Sequence, residues 1–182
     1  MRWQALHVRE RGVAVPKAAE FERVVLPHLD AAHNLARWLT KDATLADDVV
    51  QDAALRAFSY FASYKGGDAR AWLLRIVRNV AYGTLSKPGR ERLGSEDEAA
   101  EVADPAASAE ALLSRDEDLA GLHRALAALP VELRECLVLR ELEELSYKEV
   151  AQITGVPIGT VMSRLWRARQ ALLRCQIDGG VA

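Results

Sequence analysis

Apolar residues recur three and four positions apart along most of the chain, and nowhere do Val and Ile alternate with polar residues in short runs bounded by turns. A period near 3.6 without a period of two predicts an all-α protein. Helical stripes are expected over residues 21–40, 45–60 and 68–85, the first open to a break, with KDAT and the glycine-containing YKGGD between them. The pattern then stops. Residues 86–117 are mainly Ala, Ser, Asp and Glu, with Pro88, Gly89 and Pro105, and have little to bury, so a flexible linker is expected there. Two further stripes, 118–128 and 131–142, are split by Pro130, which cannot continue a helical hydrogen-bond ladder. The expected organisation is an N-terminal arm over 1–20 open to disorder, a helical module over 21–85, the linker, a second helical module over 118–175 and a tail over 176–182.

The second module ends in the sharpest local pattern, SYKEVAQITGVPIGTVMSRLWRARQALL. Ser146 and Glu149 have the S-x-x-E spacing of a capping box, so a helix is expected to begin at Tyr147. Gly155 stands where a left-handed residue closes that helix, and Pro157 suits the first turn of the next. Two helices meeting across so short a turn predict a helix-turn-helix. On the second of them Ile158, Val161, Leu165, Ala168 and Leu172 share one face, while Ser163, Arg167, Gln170 and Arg174 lie opposite, with Arg164 and Trp166 at the flanks. A helix held on one face and offering guanidinium and amide groups on the other suits the DNA major groove.

Charge sharpens this picture only when it is mapped. The net formal charge is -2, which by itself points to no nucleic acid. Acidic residues crowd residues 91–118, however, whereas Lys65, Arg70, Arg75, Arg78, Lys87 and Arg90 precede them and Lys148, Arg164, Arg167, Arg169 and Arg174 follow. Two basic modules flank an acidic linker. Cys136 and Cys175 lack CxxC spacing and are expected as buried thiols. His7, His28, His33 and His123 are scattered and no Gly-rich phosphate loop occurs, so neither an enzyme, nor a metal site, nor a cofactor is expected. No apolar run approaches the roughly 18 residues of a membrane span, and the N-terminus lacks a signal peptide's apolar block, which places the protein in the cytoplasm.

With these residues in view, LRECLVLRELEELSYKEVAQITGVPIGTVMSRLWRARQAL resembles the C-terminal DNA-binding domain of bacterial RNA polymerase sigma factors of the extracytoplasmic-function (ECF) subfamily. The resemblance implies that Ser163, Arg164, Trp166 and Arg167 face bases or phosphates of the promoter's minus-thirty-five element. Met162 departs from the basic residue common at its position. In the first module, DDVVQDA resembles the family's polymerase-binding helix, which implies Asp48, Gln51 and Asp52 as contacts to core polymerase. AWLLRIVRN resembles the minus-ten helix, preceded by a loop that captures a flipped base of the non-template strand. Tyr64 and Lys65 then belong to that loop, and Arg75, Arg78 and Asn79 to the reading helix. Trp72 can serve either as a stacking platform or as core. Gly83 and Ser86 stand where the family often has Asp and Arg. The resemblance covers residues 21–85 and 119–173 and implies three partners: core polymerase, promoter DNA (duplex and melted strand) and an anti-sigma protein. A helix-turn-helix regulator that never joins polymerase shares the second module alone; the first module separates the two readings.

Overall fold

The computed structural model describes the backbone of residues 14–86 and 121–179 and the side chains of residues 17–86 and 121–174. Among these residues the chain is all helix and turn, with no strand. The expected linker over 86–117, apart from Ser86, and most of the expected arm lie outside the described residues. The remainder of the arm is helical: α1 spans Ala14–Val25, and its Phe21 and Val25 are buried. A 3-10 turn at Leu26–His28 follows, and then α2, Leu29–Thr40. The expected helix over 21–40 is therefore two helices, broken at Pro27, whose missing N–H ends the ladder.

Helix α3, Ala43–Tyr60, begins at Asp42, whose carboxylate accepts from the Leu45 amide at 2.9 Å. Helix α4, Ala69–Leu85, begins in the same way at Asp68, which accepts from the Ala71 amide at 3.0 Å. Between them run a 3-10 turn, Phe61–Ser63, and the loop 64–67, where Gly66 and Gly67 take φ values of 84° and 103° that only glycine adopts readily. Leu35, Leu39, Val49, Leu73, Leu74 and Val77 fill the space among α2, α3 and α4. Each such side chain contributes about 1.5–3 kcal/mol on removal from water.

In the second module residues 121–128 form α5, and Pro130 breaks the chain before α6, Val131–Leu137. One π-helical turn, Val138–Leu142, extends α6. Helix α7, Tyr147–Thr154, has the expected capping box, with both reciprocal bonds between Ser146 and Glu149 present. Gly155 closes it at φ 72°, and α8, Ile158–Gly179, follows Pro157, whose carbonyl accepts from the Val161 amide at 3.1 Å. The helix-turn-helix is thus α7 and α8, and α8 continues into the segment expected as a tail, since no helix breaker precedes Gly179.

The modules do not stay apart. Helix α7 packs against α4 and α6 against α2, and the buried residues of both modules form one continuous cluster. Three charged residues of the second module are buried at or beside this junction: Arg134, Glu135 and Glu143.

Candidate nucleic-acid interface

Helix α3 buries Ala46, Val49, Val50, Ala53 and Ala57 and leaves Asp48 and Gln51 exposed on the opposite side. Asp52 is half-buried and accepts both Nε (3.0 Å) and Nη2 (2.9 Å) of Arg56 one turn later. The pairing holds the Asp52 carboxylate in place and raises the Arg56 pKa through that hydrogen bond and charge. Leu55 shares this side, seven residues after Asp48, and is 64% exposed. An exposed leucine beside carboxylate and amide groups gives the face apolar surface that a partner can cover. Sequence reasoning missed it, although Leu55 stands visibly off the stripe of Ala46, Val50, Ala53 and Ala57.

At the start of α4 the aromatics form one cluster. Tyr64 stacks on Phe61 (centroids 5.8 Å, planes 15° apart) and meets Trp72 at 5.1 Å, while Phe61 and Phe58 each receive Phe21 edge-on. The Tyr64 hydroxyl donates to the Gly67 carbonyl at 2.6 Å, which ties down the loop. Tyr64 and Trp72 are half-buried and brace the loop, whereas Lys65 is exposed at its tip. The Cβ positions of Gly66 and Gly67 face open space, so a planar group can approach the backbone there.

Along α4, Arg75 and Asn79 are exposed one turn apart. Arg78 points elsewhere. Its Nε donates to Glu135 of α6 at 2.5 Å and its guanidinium lies 4.4 Å from the centre of the Tyr82 ring, while the Tyr82 hydroxyl donates to the same carboxylate at 3.1 Å. Arg70 pairs with Glu143, which also accepts from Asn34 Nδ2 at 2.5 Å. Glu135 is fully buried, and that burial pushes its carboxyl pKa up against the opposing pull of Arg78. Arg134 donates to the carbonyls of Trp38 (2.6 Å) and Leu39 (3.4 Å) at the end of α2 and to Ala127 (3.1 Å) and Leu129 (2.8 Å) at the end of α5. A cation joining two helix C-termini satisfies carbonyls that the helices leave unpaired. Sequence reasoning passed over Arg134 and Glu135 as well; two adjacent charges between Leu133 and Leu137, inside an apolar stripe, were the available signal.

On α8 Ser163, Trp166, Arg167, Gln170 and Arg174 are exposed, and Trp166 is 64% so. The Ser163 hydroxyl donates to Thr160 O at 2.9 Å. Arg164 turns inward: it lies beside Cys136, where its hydrogen bond opposes the rise that burial imposes on that thiol, and its Nη1 is buried without a partner. Cys136 is buried as expected; the Cys175 side chain lies outside the described residues. Among the described residues no group of three His, Cys, Asp or Glu could hold a metal ion, and no described helix is long and apolar enough to cross a membrane.

Comparison with known proteins agrees with this layout. Residues 24–91 match the family model for sigma-70 region 2, and residues 119–172 match the model for sigma-70, region 4. The chain is 36% identical to the RNA polymerase sigma-H factor of Pseudomonas aeruginosa over 84% of this chain and 83% of that protein. It is 34% identical to the ECF RNA polymerase sigma-E factor of Escherichia coli K12 over 77% of this chain and 79% of that one. Among solved structures, RpoE in complex with the anti-sigma factor NepR from Bartonella quintana superposes with a TM-score of 0.68 at 31% identity, covering 86% of this chain and 96% of that one. CnrH in complex with the cytosolic domain of CnrY gives a TM-score of 0.62 at 26% identity, covering 89% and 90%. The chain belongs to the sigma-70 family of RNA polymerase sigma factors, in its ECF branch.

Proposed function

We propose that this protein directs core RNA polymerase to promoters through three surfaces on one chain. Region 2, over residues 21–85, docks on polymerase through Asp48, Gln51, Asp52 and Leu55 of α3. Its α4 and loop 64–67 take the melted non-template strand: Lys65, Arg75 and Asn79 make contacts, while Tyr64 and Trp72 brace the backbone that a flipped base approaches. Region 4, over residues 118–175, sets Ser163, Trp166 and Arg167 into the major groove of the upstream element. The protein performs no catalysis of its own, works in the cytoplasm and is held by an anti-sigma partner, as RpoE is by the anti-sigma factor NepR. The linker over 86–117 joins the two regions. The observation that carries the reading is the pairing, on one chain, of an exposed helix-turn-helix face with the Asp48–Leu55 face of α3.

The geometry adds a requirement. The minus-ten and minus-thirty-five elements are about 25 base pairs apart by their own numbering, roughly 85 Å of duplex. A compact globule of this length is about 40 Å across. With α7 packed on α4, α4 and α8 cannot engage both elements at once, so region 4 leaves region 2 when the promoter is bound. Arg78 and Arg70 are released by that step, and Arg78 becomes available to the strand beside Asn79.

Promoter-dependent transcription in vitro with bacterial core polymerase tests the assignment. Specific initiation is expected, together with its loss in the double variant Asp48→Arg, Gln51→Ala, whose region 4 still binds duplex. A protein that binds specific duplex but neither joins core polymerase nor starts transcripts is a helix-turn-helix regulator instead.

A further inference from the structure

The groove-facing half of α8 is not uniformly polar. Ile158, Met162 and Trp166 follow one another at four-residue intervals and are 46%, 53% and 64% exposed. They form a straight apolar ridge beside the polar row of Ser163, Arg167 and Gln170. Eight residues of helix make the ridge about 12 Å long, close to the roughly 12 Å width of the major groove. The core takes Val161, Leu165 and Ala168 from the adjoining face of the helix, Ile158 standing nearest to them, while Met162 and Trp166 remain more than half exposed.

Region 4 has one other apolar feature among the described residues, a groove lined by Leu122, Leu126, Leu142 and Leu172 and rimmed by the Arg169–Glu141 pair at 2.5 Å. None of Ile158, Met162 and Trp166 lines it. On the helical wheel Met162 and Trp166 stand between Arg169 and the polar row of Ser163, Arg167 and Gln170, so they border the proposed DNA face.

Base edges in the major groove present hydrogen-bond donors, acceptors and one apolar group, the C5-methyl of thymine. Met162 carries a flexible, polarizable side chain that can settle against such a methyl, and Ile158 and Trp166 flank it on both sides. Ser163 already spends its hydroxyl proton on Thr160 O and Arg167 Nε donates to Ser163 O at 3.4 Å, which leaves the polar row with the Arg167 Nη groups and Gln170 as donors. We infer that Met162, supported by Ile158 and Trp166, reads thymine methyl groups in the upstream promoter element, so that the base pair it crosses is selected by apolar contact and not by a hydrogen bond. The inference rests on the proposed placement of α8 in the major groove and names what part of that face recognises.

The test uses holoenzyme assembled from core polymerase and the full chain. Upstream elements are first selected from a randomised promoter library, and the thymines of the winning sequence are then replaced one at a time by uracil, which removes only the methyl. Binding is expected to fall about fourfold at one or two positions, the worth of one buried methyl group. Met162→Ala is expected to bind thymine and uracil equally at one of those positions, and Met162→Arg to select guanine there. Indifference of the wild type to uracil overturns the proposal, as does discrimination that survives Met162→Ala. A Met162 variant that loses polymerase binding with unchanged base preference assigns the ridge to a protein contact and also overturns it. If holoenzyme does not form, the sigma reading fails; the same thymine and uracil duplexes, presented to the full chain alone, then decide the ridge separately.

Discussion

Helices α4 and α8 are both basic and both proposed to meet promoter DNA, yet they sit in opposite circumstances. Helix α4 is central: it buries Ala69, Ala71, Leu73, Leu74, Val77, Val80 and Ala81 and touches α2, α3 and α7. Only a narrow strip with Arg75 and Asn79 reaches solvent, and Arg70 and Arg78 are claimed by carboxylates of the other region. Helix α8 lies at an edge, commits Val161, Leu165 and Ala168 to the core and leaves a broad face free. The lesson is that a basic residue on a helix is available to nucleic acid only if no buried carboxylate has reached it first. In the first region the packing between regions competes with the proposed ligand for Arg70 and Arg78; in the second it takes Arg164 inward and pairs Arg169 with Glu141 but leaves Arg167 and Arg174 exposed.

The largest test of that difference is Glu135→Ala. It strands Arg78 and the Tyr82 hydroxyl in a buried junction, and removal of one partner of a buried ion pair costs about 3–5 kcal/mol. Because the regions can part instead of unfolding, the expected result is a larger radius of gyration in solution scattering with helical content unchanged. A compact variant shows that the junction stands on its apolar contacts alone. Next in size, Arg167→Gln is expected to leave thermal stability within about 0.5 kcal/mol and to weaken binding to the upstream element by roughly ten- to a hundredfold. Arg78→Gln should open the closed form and, because the released guanidinium is then missing beside Asn79, also weaken binding of single-stranded minus-ten DNA, though less than Arg75→Gln does. Equal losses of strand binding in Arg78→Gln and Arg75→Gln mean that α4 uses both its sides.

The smallest effect concerns the start of α7. The hydrogen bonds from Ser146 hold the Glu149 carboxyl below its ordinary range. A carboxylate with a depressed folded pKa adds stability that is complete above its unfolded value, near 4.3, and is lost as pH falls through the folded one. Ser146→Ala is expected to cost about 1 kcal/mol at neutral pH, and the difference from wild type should shrink below pH 4 in thermal melts. A gap that stays constant with pH shows that Glu149 does not share in the cap.

Much of this could be read from local chemistry. The Ser146–Glu149 box, Gly155 and the Pro130 break are signals contained within four residues, and α7 begins and ends, and α6 begins, where these put them; Asp42 and Asp68 carry the same kind of signal and start α3 two residues before and α4 one residue after the expected positions. Asp48, Gln51, Ser163, Trp166 and Arg167 are exposed as their helical positions imply, since each lies far around the wheel from an apolar stripe. Arg78 and Arg164 were not legible. Each follows or precedes a core residue, Val77 or Leu165, and so stands at the margin between faces, where a long side chain goes to whatever charge or gap lies nearby. For Arg78 that is Glu135, 57 residues further along the chain.

By itself, then, the order of residues determined an all-α chain, the start of α6 and both ends of α7, its helix-turn-helix and the family to which its motifs point, because periodicity, capping and turn chemistry act over a few residues. Only the tertiary structure decided that region 4 lies on region 2, that Arg134 joins two helix ends, that Glu135 and Glu143 hold Arg78 and Arg70, and that a ridge of Ile158, Met162 and Trp166 is left uncovered. These depend on which distant surfaces meet and which remain in water, and no spacing along the chain encodes that.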